Sequence, residues 1–257
     1  VSMPHRIDKR DYLSLMALVS NLNIDFIDGV NGSAIHPNAQ PAVSIQLAMC
    51  KISLTVYSTD IGCWRAHVNI YELMVRDRIQ SALVLEDDVD WDVLLKGQMT
   101  EFARGTRFLQ NATLPMHSPY GDNWDLMTLG HNGVNNKPNK DQQYWITKDD
   151  PTVMAPSQQM WGRKPDLSAP SLAGDRTRLV FEVSKMTATR AYAVSLRGAA
   201  RLLYDQSMIP NAQAIDLAMA KLCRYDNNWG SAFCLGAYPM LFGRYMAIGP
   251  INKDSDR

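Results

Sequence analysis

The sequence lacks several things, and each absence excludes a class of function. Its 257 residues carry no net charge, with 26 basic against 26 acidic residues. That balance offers nothing to hold nucleic acid or an anionic membrane surface. No apolar run approaches membrane-spanning length and no signal peptide is visible, although the abrupt start at Val1-Ser2-Met3-Pro4 reads as trimmed. The four cysteines, Cys50, Cys63, Cys223 and Cys234, form no C-x-x-C pair and show no zinc spacing. Their even number permits two disulfides without requiring them; Cys63 and Cys223 fall in helical patterns as plain core residues. Only five histidines are scattered along the chain, which disfavours a metal-dependent phosphohydrolase. No G-x-G-x-x-G occurs, so the dinucleotide fingerprint is missing, and there is no repeat or low-complexity tract. What remains is an ordinary globular composition, 46% hydrophobic and 20% charged. It is read as one domain over residues 1–257 with one sizeable core.

The stretch from Ser81 to Asp92, SALVLEDDVDWD, organises what is present. Ala82 to Leu85 is a short apolar run of the kind a parallel sheet buries on both faces. It passes without a spacer into Glu86, Asp87, Asp88, Asp90 and Asp92. Ligands of open α/β sheets sit beyond the carboxyl ends of strands, so these carboxylates would face one. So many like charges need solvent or a cation. Mg²⁺ and Mn²⁺ prefer oxygen ligands, commonly one or two carboxylates plus phosphates. A metal–phosphate site and a solvated acidic turn both fit these residues. A calcium loop starting at Asp88 does not: it needs Gly and an acid where Val93 and Met99 stand.

Along the chain, Val1 to Met3 reads as the tail of a strand and Pro4 to Arg10 as a basic turn. A helix over Asp11 to Asn21 and a strand over Asn23 to Ile27 complete a βαβ unit that ends at Asp28-Gly29. Such units commonly place the first turn on phosphate and a later acid on base or ribose, and Arg6, Lys9 and Arg10 read equally well as a solvated helix start. A short helix fits 45–54. Ser58-Thr59-Asp60 caps a clear helix from Ile61 to Arg78, with His67 beside its apolar stripe as a core residue. Helix is weaker over 93–109, and Trp124 to Gly130 reads as a strand. Residues 131–178 form a long irregular segment whose Tyr144, Trp145 and Trp161 suit either sugar stacking or a satellite core. A strand over Thr189 to Val194, a helix capped by Ser195, a helix over Ile215 to Cys223 and a strand over Ala232 to Ala237 close the chain. The bland role for Asp216 is to favour its helix dipole. Two sequons, at Asn31 and Asn111, lean toward a secretory compartment.

Six of these segments, in order, resemble glycosyltransferase family 25. They are Pro4 to Arg10; Asp28-Gly29-Val30-Asn31-Gly32; Ile61-Gly62-Cys63-Trp64-Arg65-Ala66-His67; ALVLEDD at 82–88; Trp124 to Gly130; and Ala191-Tyr192-Ala193-Val194-Ser195 with Gly198. The wording around Trp64, Trp91 and 131–178 is similar to a fungal-type branch. Ala66 stands where the family has Ser, and Glu86-Asp87-Asp88 replaces the Asp-x-Asp of many glycosyltransferases. The resemblance implies an α/β, GT-A type fold with a mostly parallel sheet flanked by helices. It implies a UDP-sugar donor, UDP-galactose above all, a Mn²⁺ or Mg²⁺ ion, a glycan or glycoprotein acceptor, and Golgi residence behind an upstream anchor. Glu86 and Asp88 would hold the metal, with Asp87 beside the donor. Pro4, His5, Arg6 and Arg10 would meet phosphate, and Asp28-Gly29 the uridine. The inverting reaction implied needs a general base, with Asp216 the first choice and Asp125 the second. An inactive nucleotide-sugar or glycan-binding module on the same fold is the alternative.

Overall fold

The computed structural model describes residues 1–40, 54–113, 115–137, 142–155, 157, 159, 164–172, 174–208, 213–224 and 232–245. The helix expected over 45–54 lies almost wholly outside them, as do Cys50 and Trp161. Five helices are described: α1 (Ile7–Val19), α2 (Leu54–Asp77), α3 (Leu95–Leu109), α4 (Leu196–Ser207) and α5 (Ile215–Cys223). Among them no helix is long and apolar enough to cross a membrane. The strands are β1 (Ser81–Leu85), β2 (Val89–Trp91), β3 (Leu126–Gly130), β4 (Gly133–Asn136), β5 (Tyr144–Thr147), β6 (Arg178–Thr187), β7 (Ala191–Ser195), β8 (Cys234–Tyr238) and β9 (Phe242–Arg244).

Seven strands form one sheet in the order β1-β7-β3-β8-β6-β4, with β5 also on β6; β2 and β9 pair separately. Among the described residues, only the β3–β8 pairing in this sheet is parallel. The sheet is therefore mixed and mostly antiparallel, and the expectation of a mostly parallel one is corrected. Three pairings, β1–β7, β3–β7 and β6–β8, are antiparallel in their own right. The segment 131–178 adds β4 and β5, both antiparallel to β6. β1 then lies at the sheet edge against β7, not in the centre. Leu83 is accordingly 45% exposed while Val84 is buried. A four-residue apolar run does not reveal whether both of its faces will be covered.

Side chains alternate across the sheet. Tyr192, Val194, Phe181 and Leu126 pack with Tyr71, Leu202 and Met219 of α2, α4 and α5. Ala191, Val180, Met127 and Leu129 face the other way, onto Phe102 of α3 and Trp91 and Phe242 of the small ribbon. Two cores thus sandwich one sheet. Burying a side chain such as Tyr71 or Phe181 contributes roughly 1.5–3 kcal/mol. Tyr144 lies 5.7 Å from Phe181 and Trp145 5.7 Å from Phe108, ring to ring, so both extend these cores.

Other expectations shift by up to two turns, with α2 starting at Leu54, seven residues before the expected Ile61. α1 starts at Ile7, four residues before the expected start, and 23–27 forms no strand. Ser58 to Asp60 lie inside α2 and do not cap it. Ser195 does cap α4, accepting from the Gly198 N–H at 3.1 Å. A methyl group on Gly198 would stand 2.1 Å from the Asp125 carbonyl oxygen, so α4 approaches β3 only because that residue has no side chain. Cys223 is no plain core residue: a disulfide joins it, at the end of α5, to Cys234 on β8. Cys63 is not in a disulfide.

Candidate active site

Three segments that are distant in sequence meet beside the end of β1. Ser2 and Asp28 form a parallel bridge, closed by Gly29 N–H to the Ser2 carbonyl at 2.8 Å. This lays the first residues and the 28–32 turn alongside the Glu86–Asp88 turn. The 28–32 turn in turn seats on α2. A Cβ on Gly32 would fall 1.8 Å from the Ser58 carbonyl oxygen, and one on Gly62 would fall 2.2 Å from that of Val30. Backbone packs on backbone here, which explains both glycines. Between these walls opens a cleft of about 470 Å³.

The cleft wall contains His5 and Arg6, Gly29 to Gly32, Gly62, Cys63, Ala66 and His67 of α2, the acidic trio Glu86-Asp87-Asp88, and Arg244 of β9. Glu86 is set by its surroundings. Its N–H donates to the Arg190 carbonyl at 2.8 Å, and Thr189 donates its hydroxyl to Oε1. Burial alone would raise the Glu86 pKa. The neighbouring His67, the Thr189 hydrogen bond and the Arg190 charge outweigh it and hold the carboxyl below its usual value. Asp87 and Asp88 go the other way. Burial raises Asp87 despite Ser2, Arg6 and Lys9 nearby. Burial, then the Glu86 charge, raises Asp88 against the pull of Arg190 and Arg244.

Asp88 has one paired oxygen and one unpaired. Its Oδ2 accepts from Arg244 Nε at 3.0 Å, while Oδ1 is buried without a hydrogen-bond partner. A buried carboxylate oxygen with nothing to meet it is costly. It is the kind of donor that a hard divalent cation takes. The residues therefore fit a Mg²⁺- or Mn²⁺-class ion at Asp88, with Asp87 and Glu86 beside it.

Of the residues expected from sequence, His5, Arg6, Gly29, Glu86, Asp87 and Asp88 are brought together. Pro4 lies in an exposed turn at the rim. Arg10 does not line the cleft; it binds the Ser2 carbonyl at 2.9 Å and Asp28 at 2.5 Å, so this pair braces the 28–32 turn. Asp125 lies at the wrong end of the sheet. Leu126 registers with Val194, and Gly130 with Ala191 opposite Leu85, so Asp125 stands roughly 15–20 Å from Glu86 at ~3.3 Å per strand residue. It is fully buried and held by Arg197 at 2.8 and 3.0 Å and by the Phe233 N–H at 2.9 Å. That is a structural ion pair, not a base. Asp216 is at the correct end but outside the cleft wall. It accepts from the N–H groups of Ala188, at 3.2 Å, and Leu217, at 2.8 Å. Ala188 has a positive φ of 66°, and Asp216 thereby supports the turn that presents Thr189 to Glu86.

Sequence reasoning missed Arg244, Thr189 and Arg190, and read His67 only as core. His67 is 1% exposed and bonded to Tyr192, as a core histidine would be, yet it also faces Glu86 at 3.5 Å. The signal that was available is the i, i+4 spacing of Cys63 and His67 on one helix face.

The family model for Glycosyltransferase family 25 (LPS biosynthesis protein) matches residues 1–219. The chain belongs to glycosyltransferase family 25. The matched span includes every residue named above in the cleft wall except Arg244, which lies beyond it. Procollagen galactosyltransferase 1 of Danio rerio is 24% identical over 213 residues, covering 79% of this chain and 27% of that protein. Probable inactive glycosyltransferase 25 family member 3 of Bos taurus is 21% identical over 212 residues, covering 81% and 28% respectively. The chain therefore spans little more than a quarter of the length of either relative. Family 25 membership implies a nucleotide-sugar donor and an acceptor.

Proposed function

We propose that the protein is a metal-dependent inverting glycosyltransferase that moves galactose from UDP-galactose to a hydroxyl of a glycan or glycoprotein. The observation that carries this is the unpartnered, buried Oδ1 of Asp88, a residue of the cleft wall that also holds Arg6 and Arg244. We read the mixed α/β architecture as GT-A type and the sequence wording as fungal-type.

In this reading Asp88, with Asp87 and Glu86, would hold a Mn²⁺ or Mg²⁺ ion, which would offset the negative charge of the diphosphate. Arg6 and Arg244 donate charge-assisted hydrogen bonds to phosphate oxygens. His5 borders the same end. The Gly29 to Gly32 turn offers backbone to the uridine, held in place by Arg10 and Asp28. Asp216, which lies at the cleft end of the sheet although outside the cleft wall, is assigned the base in preference to Asp125, which lies at the far end. The Cys223–Cys234 disulfide and the sequons support a Golgi or other secretory lumen.

The second reading, an inactive nucleotide-sugar or glycan-binding module, is favoured by one observation. Among the described residues, the cleft wall carries no carboxylate beyond Glu86, Asp87 and Asp88.

Calorimetric titration of UDP-galactose and UDP-glucose, with and without Mn²⁺, separates these. Metal-dependent binding lost in Asp88→Ala, with galactose released to an acceptor, supports the transferase. Binding without turnover supports the module. Absence of binding under every condition removes both.

A further inference from the structure

Cys63 and His67 leave the same face of α2 one turn apart. Both line the cleft, and Glu86 meets them from the end of β1. The Cys63 sulfur, a His67 ring nitrogen and a Glu86 oxygen all lie within 4.8 Å of one another. His67 Nε2 is 3.5 Å from Glu86 Oε1. Two ligands at about 2.0 Å from a tetrahedral zinc are ~3.3 Å apart, and a sulfur at about 2.3 Å is ~3.5 Å from either. The trio therefore closes on an ion with shifts of roughly an ångström.

The surroundings are those a metal-binding histidine requires. His67 Nδ1 lies 2.8 Å from the Tyr192 hydroxyl, itself 3.0 Å from that of Tyr71. A bound cation would select the tautomer in which Nδ1–H donates to Tyr192 and Tyr192 to Tyr71, so that Nε2 turns its lone pair, in place of its proton, toward the ion. Tyr71 is fully buried and Tyr192 nearly so, which fixes the ring. Thr189 fixes the carboxylate. Three protein ligands in the wall of an open cleft leave the fourth position to water or a bound group.

This donor set differs from the one at Asp88. Thiolate and imidazole suit Zn²⁺ and Co²⁺, whereas Mg²⁺ and Mn²⁺ prefer oxygen. We propose that Cys63, His67 and Glu86 form a binding site for a zinc-class cation, distinct from the oxygen site at Asp88. The site does not depend on the proposed transfer reaction. Where that reaction holds, zinc engages Glu86 and draws it away from the ion at Asp88, making Zn²⁺ an inhibitor of Mn²⁺-dependent donor binding.

The test is Co²⁺ titration of the whole chain in chelator-stripped, reducing buffer, followed by optical absorption. About one equivalent should produce a thiolate-to-cobalt charge-transfer band and intense tetrahedral visible bands, both removed by Zn²⁺. Cys63→Ser and Cys63→Ala should each abolish the charge-transfer band with far-ultraviolet circular dichroism unchanged; two variants guard against a folding defect in one. Tyr192→Phe should keep the band but weaken Co²⁺ binding about 10–100-fold. No band in the wild type, or a band that survives both Cys63 variants and disappears in Cys50→Ser, overturns the proposal. A normal cobalt band without UDP-sugar binding counts against the transferase and leaves this site standing.

Discussion

Asp88 and Arg244 meet at 3.0 Å across 156 residues of sequence. The meeting depends on the two-stranded ribbon, in which Val89 registers with Arg244. One oxygen of Asp88 is neutralised by Arg244 and the other is left for a ligand. Arg244→Ala should therefore weaken UDP-sugar binding by about tenfold or more, as expected for a hydrogen bond to a charged group. Arg244→Lys should recover part of it. Calorimetry with Mn²⁺ present measures both, and unchanged affinity in Arg244→Ala would remove the residue from the donor site.

Asp88 also sets a trade between stability and binding. Its pKa is raised in the fold, so the folded state holds the proton more tightly than the unfolded chain. Stability is therefore lost as pH rises from the ordinary carboxylate range through the raised value. Without metal, Asp88→Asn should gain about 1 kcal/mol at neutral pH, seen as a melting point roughly 2–4 °C higher. The same variant should lose metal-dependent donor binding. Glu86, held low, has the opposite sign: its contribution is present above the unfolded value and lost as pH falls through the folded one. A lower melting point in Asp88→Asn would show that its pairing with Arg244 outweighs the strain.

Gly62→Ala tests the cleft wall. Its Cβ would stand 2.2 Å from the Val30 carbonyl, a backbone atom that cannot rotate away. The expected cost is about 1–3 kcal/mol in chemical denaturation, with donor affinity reduced because the 28–32 turn is pushed off α2. Full affinity in this variant would mean that the turn does not contact the donor.

Asp125→Asn separates the rejected base from the structural role. Breaking a buried ion pair costs about 3–5 kcal/mol. The folded fraction, assayed at low temperature, should still bind donor and metal with wild-type affinity. A loss of turnover without a loss of stability would restore Asp125 as a chemical residue.

The two sequons are not equivalent. Asn31 lines the cleft and its side chain accepts the Ser33 N–H at 3.0 Å. Asn111 is exposed at the end of α3. Produced through a secretory route, the protein should carry a glycan at Asn111 and none at Asn31, read by mass spectrometry before and after deglycosylation.

Much of the site was legible because its chemistry is local. An apolar run that ends in Glu86-Asp87-Asp88 declares itself, as does a Ser195 cap three residues before Gly198. Helix periodicity placed α2, α4 and α5 to within a turn at most ends, since a helix satisfies its own hydrogen bonds. The order of six short motifs was enough for the family. Strand direction was not legible, because a strand's partners come from elsewhere in the chain. β4 and β5 arose from a segment that reads as loop, and β7, which pairs antiparallel with both β1 and β3, gave no sign of its direction in the sequence. The roles of Asp125 and Arg10 were misjudged for the same reason: a carboxylate or guanidinium acquires its function from the partner it reaches. Sequence alone determined which chemical groups the chain owns and which short elements carry them. Only the tertiary structure decided that His67 faces Glu86, that Arg244 returns to Asp88, and that Asp125 lies at the far end of the sheet, because each is a contact between segments that the chain's local preferences do not connect.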